Sequence, residues 1–290
     1  MSRQIALLTN PVAGRGHAHR LQDLVVERLV AAGHEVDLLV GSDAEESVGL
    51  ARKAVADGVD TVVALGGDGM VHTAVQAVAG TDVHLGVVPL GTGNDYARSL
   101  GLPLGDPVAA ADVVARGAGR RLDVARCGDR WFATVMAAGF DAAVNERANR
   151  MRWPHGDLRY TIATFAVLRR WSAVPYTLSL DGEERRLDAM LLAVANTDSY
   201  GGGLQIPAGA VPDDGLLDVI IIKPTSKLEF LKVFPQVRTG EHVNHPAFER
   251  VRVRSVTVAA PGVTAYADGE RFGPLPLTVE CVPGAVSVLT

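Results

Sequence analysis

The first 120 residues alternate between two patterns of hydrophobic and polar positions. Short runs that are apolar almost throughout predict strands buried on both faces, as in a parallel sheet. The stretches between them repeat apolar residues at helical spacing, which predicts helices packed on that sheet. Together the patterns predict right-handed βαβ units and a doubly wound α/β domain over residues 1–120. The predicted strands are Gln4–Thr9, Glu35–Val40, Asp60–Leu65 and His84–Pro89, and the predicted helices cover 21–29, 48–55 and 71–78.

Residues 121–290 show a different pattern, in which short strand-like runs predict a mainly antiparallel, sandwich-like β domain. Asp181-Gly182, between two such runs, is typical of a two-residue hairpin turn. The composition changes near residues 117–122, where we place the domain boundary. The predicted strands are Trp131–Met136, Tyr176–Leu180, Met190–Val194, Val219–Ile222, Val251–Ala259 and Thr278–Glu280, and helices are predicted over Asp157–Trp171 and Lys227–Val237.

Composition excludes several classes of protein. The 28 basic and 33 acidic residues give a net charge of −5, which argues against a nucleic-acid-binding protein. Two cysteines, Cys127 and Cys281, are too few for a disulfide framework or a cysteine-rich zinc site. No apolar stretch approaches the roughly 18 residues of a membrane-spanning helix. We therefore expect a cytoplasmic protein that touches a membrane at most from one side.

Glycine-rich loops follow three of the predicted parallel strands: residues 10–16, 66–69 and 89–95. Glycines between a strand and a helix let backbone N–H groups point at an anion, and the helix dipole adds attraction. Ligands bind at this carboxyl edge of a doubly wound sheet, so three such loops favour a phosphate site over simple tight turns. The Walker ending Gly-Lys-Ser/Thr is absent, and Gly14-Arg15-Gly16 lacks the third glycine of a dinucleotide fingerprint.

Three aspartates, Asp68, Asp95 and Asp123, follow or flank these strand ends. Carboxylates beside a polyphosphate are what Mg²⁺ needs, directly or through its waters. For Asp95 the simpler alternative is a helix cap in the Gly-Asn-Asp turn, and Asp123 by itself is an ordinary residue at a strand start.

The ordered set of motifs resembles one known family. Gly66-Gly67-Asp68-Gly69, Gly91-Thr92-Gly93-Asn94-Asp95, Asn196 with Gly201-Gly202-Gly203, residues 214–218 and Ala267-Asp268-Gly269-Glu270 occur in this order. Together they resemble the diacylglycerol kinase catalytic-domain family, which includes soluble bacterial lipid kinases and is related to sphingosine kinases and NAD kinases. The resemblance implies an N-terminal nucleotide-binding domain, a β-rich lipid-substrate domain and an active site in the cleft between them.

The resemblance also assigns roles to residues by position. Glu270 is the implied general base, and Asp68 organises the Mg²⁺–phosphate network with Asp95 and Asp123. Asp214, with the carbonyls of Val211 and Leu216, resembles a structural Mg²⁺ site. The implied contacts to ATP are Asn10, Pro11, Val12, Ala13, Gly14, Ser42, Gly66, Gly67, Asp68, Gly69, Met70, Val71, His72, Thr73, Thr92 and Asn94.

Two residues depart from the family pattern: Met70 stands where Thr or Leu is usual, and Thr73 where many members have Glu. The loss of that carboxylate could weaken the orientation of the nucleotide or metal, so a catalytically weak nucleotide- or lipid-binding protein stays an alternative. The other alternative is an NAD kinase-like enzyme, since NAD kinases share the Gly-Gly-Asp-Gly turn. The Gly-Thr-Gly-Asn-Asp and Asp-Gly-Glu motifs argue against it.

The segment 145–171 carries six arginines against two acidic residues and four of the chain's aromatic residues. A basic, aromatic-rich segment suits an anionic membrane surface, although a solvated helix face with aromatics in the core explains it equally well. The resulting hypothesis is an ATP- and Mg²⁺-dependent lipid kinase that converts a diacylglycerol-like lipid to a phosphatidic acid. Its expected partner is a lipid substrate at the membrane surface, nucleic acid is not expected, and a homodimer is compatible with the sequence.

Overall fold

The computed structural model describes residues 2–10, 17–151, 153, 162, 163, 166, 167 and 171–290. Its helices are α1 (His17–Ala31), α2 (Ala44–Ala56), α3 (Asp68–Val78), α4 (Asp95–Ser99), α5 (Pro107–Arg116), α6 (Phe140–Arg150) and α7 (Lys227–Val233), with 3₁₀ turns at Phe234–Arg238 and Glu241–Asn244. The strands are β1 (Gln4–Thr9), β2 (Glu35–Val40), β3 (Thr61–Gly66), β4 (His84–Pro89), β5 (Gly119–Cys127), β6 (Arg130–Phe132), β7 (Val135–Gly139), β8 (Val174–Leu180), β9 (Glu183–Ala189), β10 (Leu191–Ala195), β11 (Leu217–Ile222), β12 (Phe248–Val253), β13 (Ser255–Ala259), β14 (Thr264–Ala267), β15 (Glu270–Pro274) and β16 (Leu277–Leu289).

The predicted doubly wound domain is confirmed. Strands β2, β1, β3 and β4 lie side by side and parallel in this order. Alternate strand side chains face opposite sides, so Leu7 packs with α1 and α5, whereas Leu8 packs with α2 and α3. Both faces of the sheet are therefore covered at β1, β3 and β4, which explains why these three strands are apolar almost throughout. Strand β2 differs from the prediction, because it lies at the edge of the sheet and none of its six residues is buried.

The β-rich second half is also confirmed as a sandwich. A six-stranded antiparallel sheet has the order β12-β11-β10-β7-β14-β15. Its inner face packs against β8, β13 and β16 through buried residues such as Met136, Leu192 and Val256. The last strand, β16, also pairs in parallel with β4 and antiparallel with β5. The larger sheet is thus continuous across the predicted boundary near residues 117–122, and the boundary stays a prediction.

Two predicted strands are each two strands in different sheets. Trp131–Met136 is interrupted at Ala133 and Thr134, whose N–H groups donate to the Asp268 carboxylate rather than to a neighbouring strand. Val251–Ala259 is interrupted at Arg254, whose N–H donates to Asp181. The strand-like pattern of the sequence continues through both positions. Side-chain acceptors from distant residues bind the backbone N–H groups there, and this ends the pairing with the neighbouring strand.

Other boundaries differ for local reasons. Predicted strand Thr278–Glu280 is part of the 13-residue β16, and the helix predicted over Lys227–Val237 tightens into a 3₁₀ turn after Val233, next to Pro235. The Asp181-Gly182 turn is confirmed, with φ of 48° and 93° between paired β8 and β9. Most of the predicted helix Asp157–Trp171 lies outside the described residues. No described helix has the length and apolarity to cross a membrane.

Candidate active site

A cavity of about 1300 Å³ opens at the carboxyl ends of β1, β3 and β4. Helices α2 and α3 form its walls on one side, and Arg130 and Glu270 of the β-rich half line the other. The ends of three parallel strands therefore meet the second half of the chain at one cleft, as the family resemblance implied. The predicted residues that line it are Asn10, Gly66, Gly67, Gly69, Met70, His72, Thr73 and Glu270.

The second and third glycine loops pack backbone against backbone. A Cβ atom on Gly91 would lie 2.6 Å from Cα of Gly67, and one on Gly93 would lie 2.6 Å from Oδ2 of Asp68. Any side chain at these positions would force the loops apart. Helix α3 begins at Asp68 after the cap residue Gly67, so its N-terminus and dipole face the cavity that these loops bound.

Asp68 connects the two loops rather than pointing into the cavity. Its Oδ2 accepts the N–H of Asn94 at 2.8 Å, and its Oδ1 accepts the N–H of Asp95 at 2.7 Å. Burial raises the pKa of Asp68 and the nearby charge of Asp95 raises it further, while the two backbone hydrogen bonds oppose this shift. Two neighbouring carboxylates under partial burial favour a cation beside them.

Asp95 is buried and holds the triple-glycine turn of the second half. Its Oδ2 accepts the N–H of Gly202 at 2.9 Å, and its Oδ1 accepts the N–H of Gly203 at 2.7 Å and the hydroxyl of Ser199 at 3.2 Å. The side chain therefore crosslinks α4 to the loop after β10. Asp95 is not the cap of α4, which was the simpler alternative for this residue, because the cap position is taken by Asn94. The Asn94 side chain does not cap the helix either, since it bonds the backbone of Gly91.

Asp123 makes an equivalent crosslink in β5. Its two oxygens accept the N–H groups of Gly215 at 2.6 Å and Gly284 at 2.8 Å. Its carbonyl accepts the side-chain amide of Asn196 at 2.8 Å. Asn196 is 1% exposed, and its Oδ1 accepts no hydrogen bond from the described residues. A buried water would satisfy that acceptor.

Glu270 begins β15, directly after a two-residue turn. Asp268 and Gly269 have φ of 50° and 85°, the left-handed pair that a type I′ hairpin needs. The turn brings the Glu270 carboxylate against the phosphate loop, since a Cβ atom on Gly69 would lie 3.9 Å from Glu270 Oε1. The predicted general base therefore faces the first turn of α3 across the cleft.

The cleft also contains two cations that the sequence analysis missed. Among the described lining residues these are Arg52 of α2 and Arg130 of β6. Arg130 stacks over Phe272 at 3.8 Å from the ring centroid and donates to the Phe272 carbonyl at 3.0 Å. Neither arginine belongs to a loop motif, so only the packing of α2 and β6 around the cleft identifies them.

Several predicted nucleotide contacts lie elsewhere. Val71 packs into the core under α3, and Ser42 donates its hydroxyl to Glu46 at 2.6 Å outside the cavity lining. Asn94 is buried in its loop, and Thr92 is exposed beside the cavity. Pro11, Val12, Ala13 and Gly14 fall outside the described residues. Thr73 lines the cavity, but its hydroxyl donates to the Gly69 carbonyl at 2.9 Å.

The predicted structural Mg²⁺ site fits this chain poorly. Asp214 Oδ1 accepts the N–H of Leu216 at 3.1 Å, and Oδ2 is paired with the guanidinium of Arg252. The other two implied ligands are the backbone carbonyls of Val211 and Leu216. A fixed guanidinium already neutralises the carboxylate that a divalent ion would need, so we derive no role for Mg²⁺ there.

A nucleotide-bound Mg²⁺ is a different case. Within the part of the chain that the structure describes, no three His, Cys, Asp or Glu side chains converge as a metal cage. Mg²⁺ is commonly held by one or two carboxylates, substrate phosphates and waters, which does not require such a cage. The carboxylates of Asp68 and Asp95 lie next to each other beside Gly93, and their negative charge fits an ion that arrives with the nucleotide.

Comparison with known proteins gives the family of both halves of the chain. Residues 4–127 match the family described as diacylglycerol kinase catalytic domain, and residues 134–290 match the YegS C-terminal NAD kinase beta sandwich-like domain. The diacylglycerol kinase of Mycobacterium tuberculosis (strain ATCC 25618 / H37Rv) is 45% identical over 99% of this chain and 94% of its own length. That of Bacillus subtilis (strain 168) is 27% identical over 94% of this chain and 92% of its own. The crystal structure of a diacylglycerol kinase from Bacillus anthracis str. Sterne shares the fold, with a TM-score of 0.76 at 20% identity, covering 99% of this chain and 96% of that one.

Proposed function

Because the chain belongs to the diacylglycerol kinase family and is a lipid kinase, we propose that it transfers the γ-phosphate of ATP to the hydroxyl of a diacylglycerol-like lipid and forms a phosphatidic acid. One observation carries this proposal. The Glu270 carboxylate, from the β-rich half, lies against Gly69 in the phosphate loop of the α/β half. A base and a phosphate site therefore face each other across one cleft.

The chemistry requires positioning more than covalent help from the protein. Glu270 accepts the proton of the lipid hydroxyl as that oxygen bonds to the γ-phosphorus. The bond from the γ-phosphorus to the bridging oxygen breaks, ADP leaves, and the proton passes from Glu270 to water. Arg52 and Arg130 supply positive charge in the same cavity for the phosphate oxygens. Mg²⁺ bound with ATP would neutralise charge on the phosphates, with Asp68 on its protein side.

A small apolar cavity in the β-rich half is the candidate site for a lipid chain. It lies between α7, the 3₁₀ turns and the ends of β10, β11 and β12, and Phe230, Val233, Phe234 and Phe248 line it. Its volume of about 50 Å³ is too small for a whole acyl chain, so chain binding requires α7 to move outward. Val233→Trp would fill it, and we expect this variant to raise the KM for long-chain lipid without changing the KM for ATP.

The outer side of α7 fits contact with an anionic membrane. Leu228 is 74% and Leu231 40% exposed, and Lys227 and Lys232 flank them. Apolar side chains bordered by lysines are typical of helices that lie in a lipid interface. We expect Leu228→Ser with Leu231→Ser to reduce sedimentation with phosphatidylglycerol vesicles at unchanged kcat toward detergent-dispersed lipid. Equal sedimentation of variant and wild type would remove α7 from the proposed membrane surface.

The kinase reaction is tested by the transfer of labelled γ-phosphate from Mg-ATP to dispersed diacylglycerol, sphingosine, a total lipid extract and NAD. Glu270→Gln is the matched control, since it keeps the shape of the side chain and removes the base. Label in diacylglycerol that is lost in the variant supports the proposal, and the chromatographic identity of the product names the acceptor. Label in NAD alone, or ATP binding without transfer to any acceptor, contradicts it.

A further inference from the structure

The His72 side chain joins the two walls of the cleft. It lies on α3 within the phosphate-loop motif, and its Nδ1 is 3.0 Å from Oδ2 of Asp268, in the turn that carries Glu270. Both side chains are almost fully buried, with 10% and 4% of their surface exposed. The two residues are 196 positions apart in the chain, so this contact connects the α/β half directly to the hairpin of the implied base.

The Asp268 carboxylate is fully used by its surroundings. Besides His72, it accepts the N–H groups of Ala133 at 3.0 Å and Thr134 at 2.9 Å, and the Thr134 hydroxyl at 2.6 Å. Burial alone would raise the pKa of Asp268, but the hydrogen bonds from His72, Thr134 and Ala133 hold it below its ordinary value. An ionised, fully bonded carboxylate makes a rigid anchor for a two-residue turn.

The imidazole also packs against the hairpin. Its ring meets the ring of Phe272 edge to face, with centroids 6.1 Å apart, and Phe272 in turn packs on Phe132 at 5.8 Å. His72 thus contacts the residues on both sides of Glu270, at positions 268 and 272. A hairpin held at both points cannot shift toward or away from α3 without breaking these contacts.

We propose that His72 is a positioning residue that, through Asp268, fixes the Glu270 carboxylate at its distance from the phosphate loop. This inference rests on the proposed kinase function. His72 then neither transfers the proton nor binds the nucleotide, although the family resemblance places it among the nucleotide contacts. A misplacement of about 1 Å at a reacting group lowers the rate by about 100-fold, so a modest loosening of this hairpin has a large kinetic effect.

Three variants test the role. We expect His72→Ala to lower kcat at least about tenfold while the KM for ATP stays within about twofold. His72→Asn should recover most of kcat, because its amide N–H can take the place of Nδ1–H. His34→Ala is the matched control: both histidines are 8% exposed, and His34 bonds the Ala115 carbonyl at the amino end of the sheet. Its kcat should stay within about twofold of wild type.

A double-mutant cycle distinguishes positioning from general stability. If His72 acts through Glu270, His72→Ala adds less than about threefold to the kcat loss already caused by Glu270→Gln. Multiplicative losses, a His72→Ala variant with normal kcat, or a raised KM for ATP at unchanged kcat would each overturn the inference.

A second measurement does not depend on activity. Hydrogen exchange of the backbone amides of residues 264–274 should accelerate in His72→Ala and not in His34→Ala. Unchanged exchange in His72→Ala would show that His72 does not hold the hairpin, even if the protein phosphorylates lipid. Conversely, a wild-type protein that labels no lipid contradicts the proposed function, while the exchange comparison still decides whether His72 holds the hairpin.

Discussion

Asp95→Asn separates a structural role for this aspartate from the metal-ligand role that its motif predicts. The substitution keeps the shape of the side chain but replaces one acceptor oxygen with an NH₂ group. In the wild type, Asp95 accepts hydrogen bonds from three groups: the N–H groups of Gly202 and Gly203 and the hydroxyl of Ser199. In the variant, the new NH₂ group faces at least one of the two backbone N–H groups, so two donors oppose each other. The residue is 6% exposed, so water cannot replace the lost acceptor.

The expected destabilisation follows from these contacts. Hydrogen bonds to a charged acceptor contribute about 1.5–3 kcal/mol each, and an unpaired buried donor costs about 1–3 kcal/mol. Leaving one N–H unpaired costs about 1–3 kcal/mol, and the two remaining bonds each weaken by about 1 kcal/mol because their acceptor becomes neutral, which sums to about 3–5 kcal/mol. At about 2–3 °C per kcal/mol for a chain of this size, the Tm should fall by about 6–15 °C.

The assay is thermal unfolding followed by circular dichroism in EDTA and without nucleotide, so that metal binding cannot contribute. Asp112→Asn is the control, because it breaks a partly exposed ion pair with Arg28 and should leave the Tm within about 2 °C of wild type. If Asp95→Asn unfolds within about 2 °C of wild type and still loses activity, the crosslink argument is wrong and the aspartate acts on the metal or the phosphates.

Three further predictions follow from single contacts. Glu270→Gln and Asp68→Ala should each lower kcat at least about 100-fold, measured as labelled lipid formed, with the circular dichroism spectrum of the folded protein retained. The Tm of the wild type should differ by less than about 1 °C between EDTA and millimolar Mg²⁺, whereas the Tm of Arg252→Met should rise with Mg²⁺. A rise in the wild type would show that Mg²⁺ binds the native protein and would support the implied site at Asp214. The hydrogen bond from Arg185 holds the pKa of Glu249 at about 2, below its ordinary value. Its stabilising contribution is therefore present above about pH 5 and lost as the pH falls towards 2. The free energy of unfolding of Glu249→Gln should therefore fall by up to about 2 kcal/mol less than that of the wild type between pH 5 and pH 2. Equal falls in the two proteins would contradict this.

Local pattern determined the α/β half of the fold. Strands β1, β3 and β4 are buried on both faces, so their apolar runs mark them directly, and the helices between them carry a clear apolar stripe. The same rule was weaker in the β-rich half, where Trp131–Met136 and Val251–Ala259 each divide between two sheets. The acceptors that end those ladders, Asp268 and Asp181, lie more than 70 positions away in the chain.

The residue types of the site were likewise readable, because Gly-Gly-Asp-Gly, Gly-Thr-Gly-Asn-Asp and Asp-Gly-Glu each need a particular backbone geometry. Their contacts were not. Asp95 and Asp123 look like metal ligands in sequence, yet each carboxylate accepts two backbone N–H groups from residues at least 92 positions away in the chain.

The sequence by itself therefore determined which segments form strands and helices in the first half, which loops suit phosphate, and to which family the motifs point. Only the tertiary structure decided which contacts the side chains make: His72 bonds Asp268, Arg252 forms an ion pair with Asp214, and Arg130 lines the cleft. The physical reason is the range of the interactions. Periodicity and turn chemistry act within a few residues, whereas a buried carboxylate binds whichever donors the packing of distant strands brings to it.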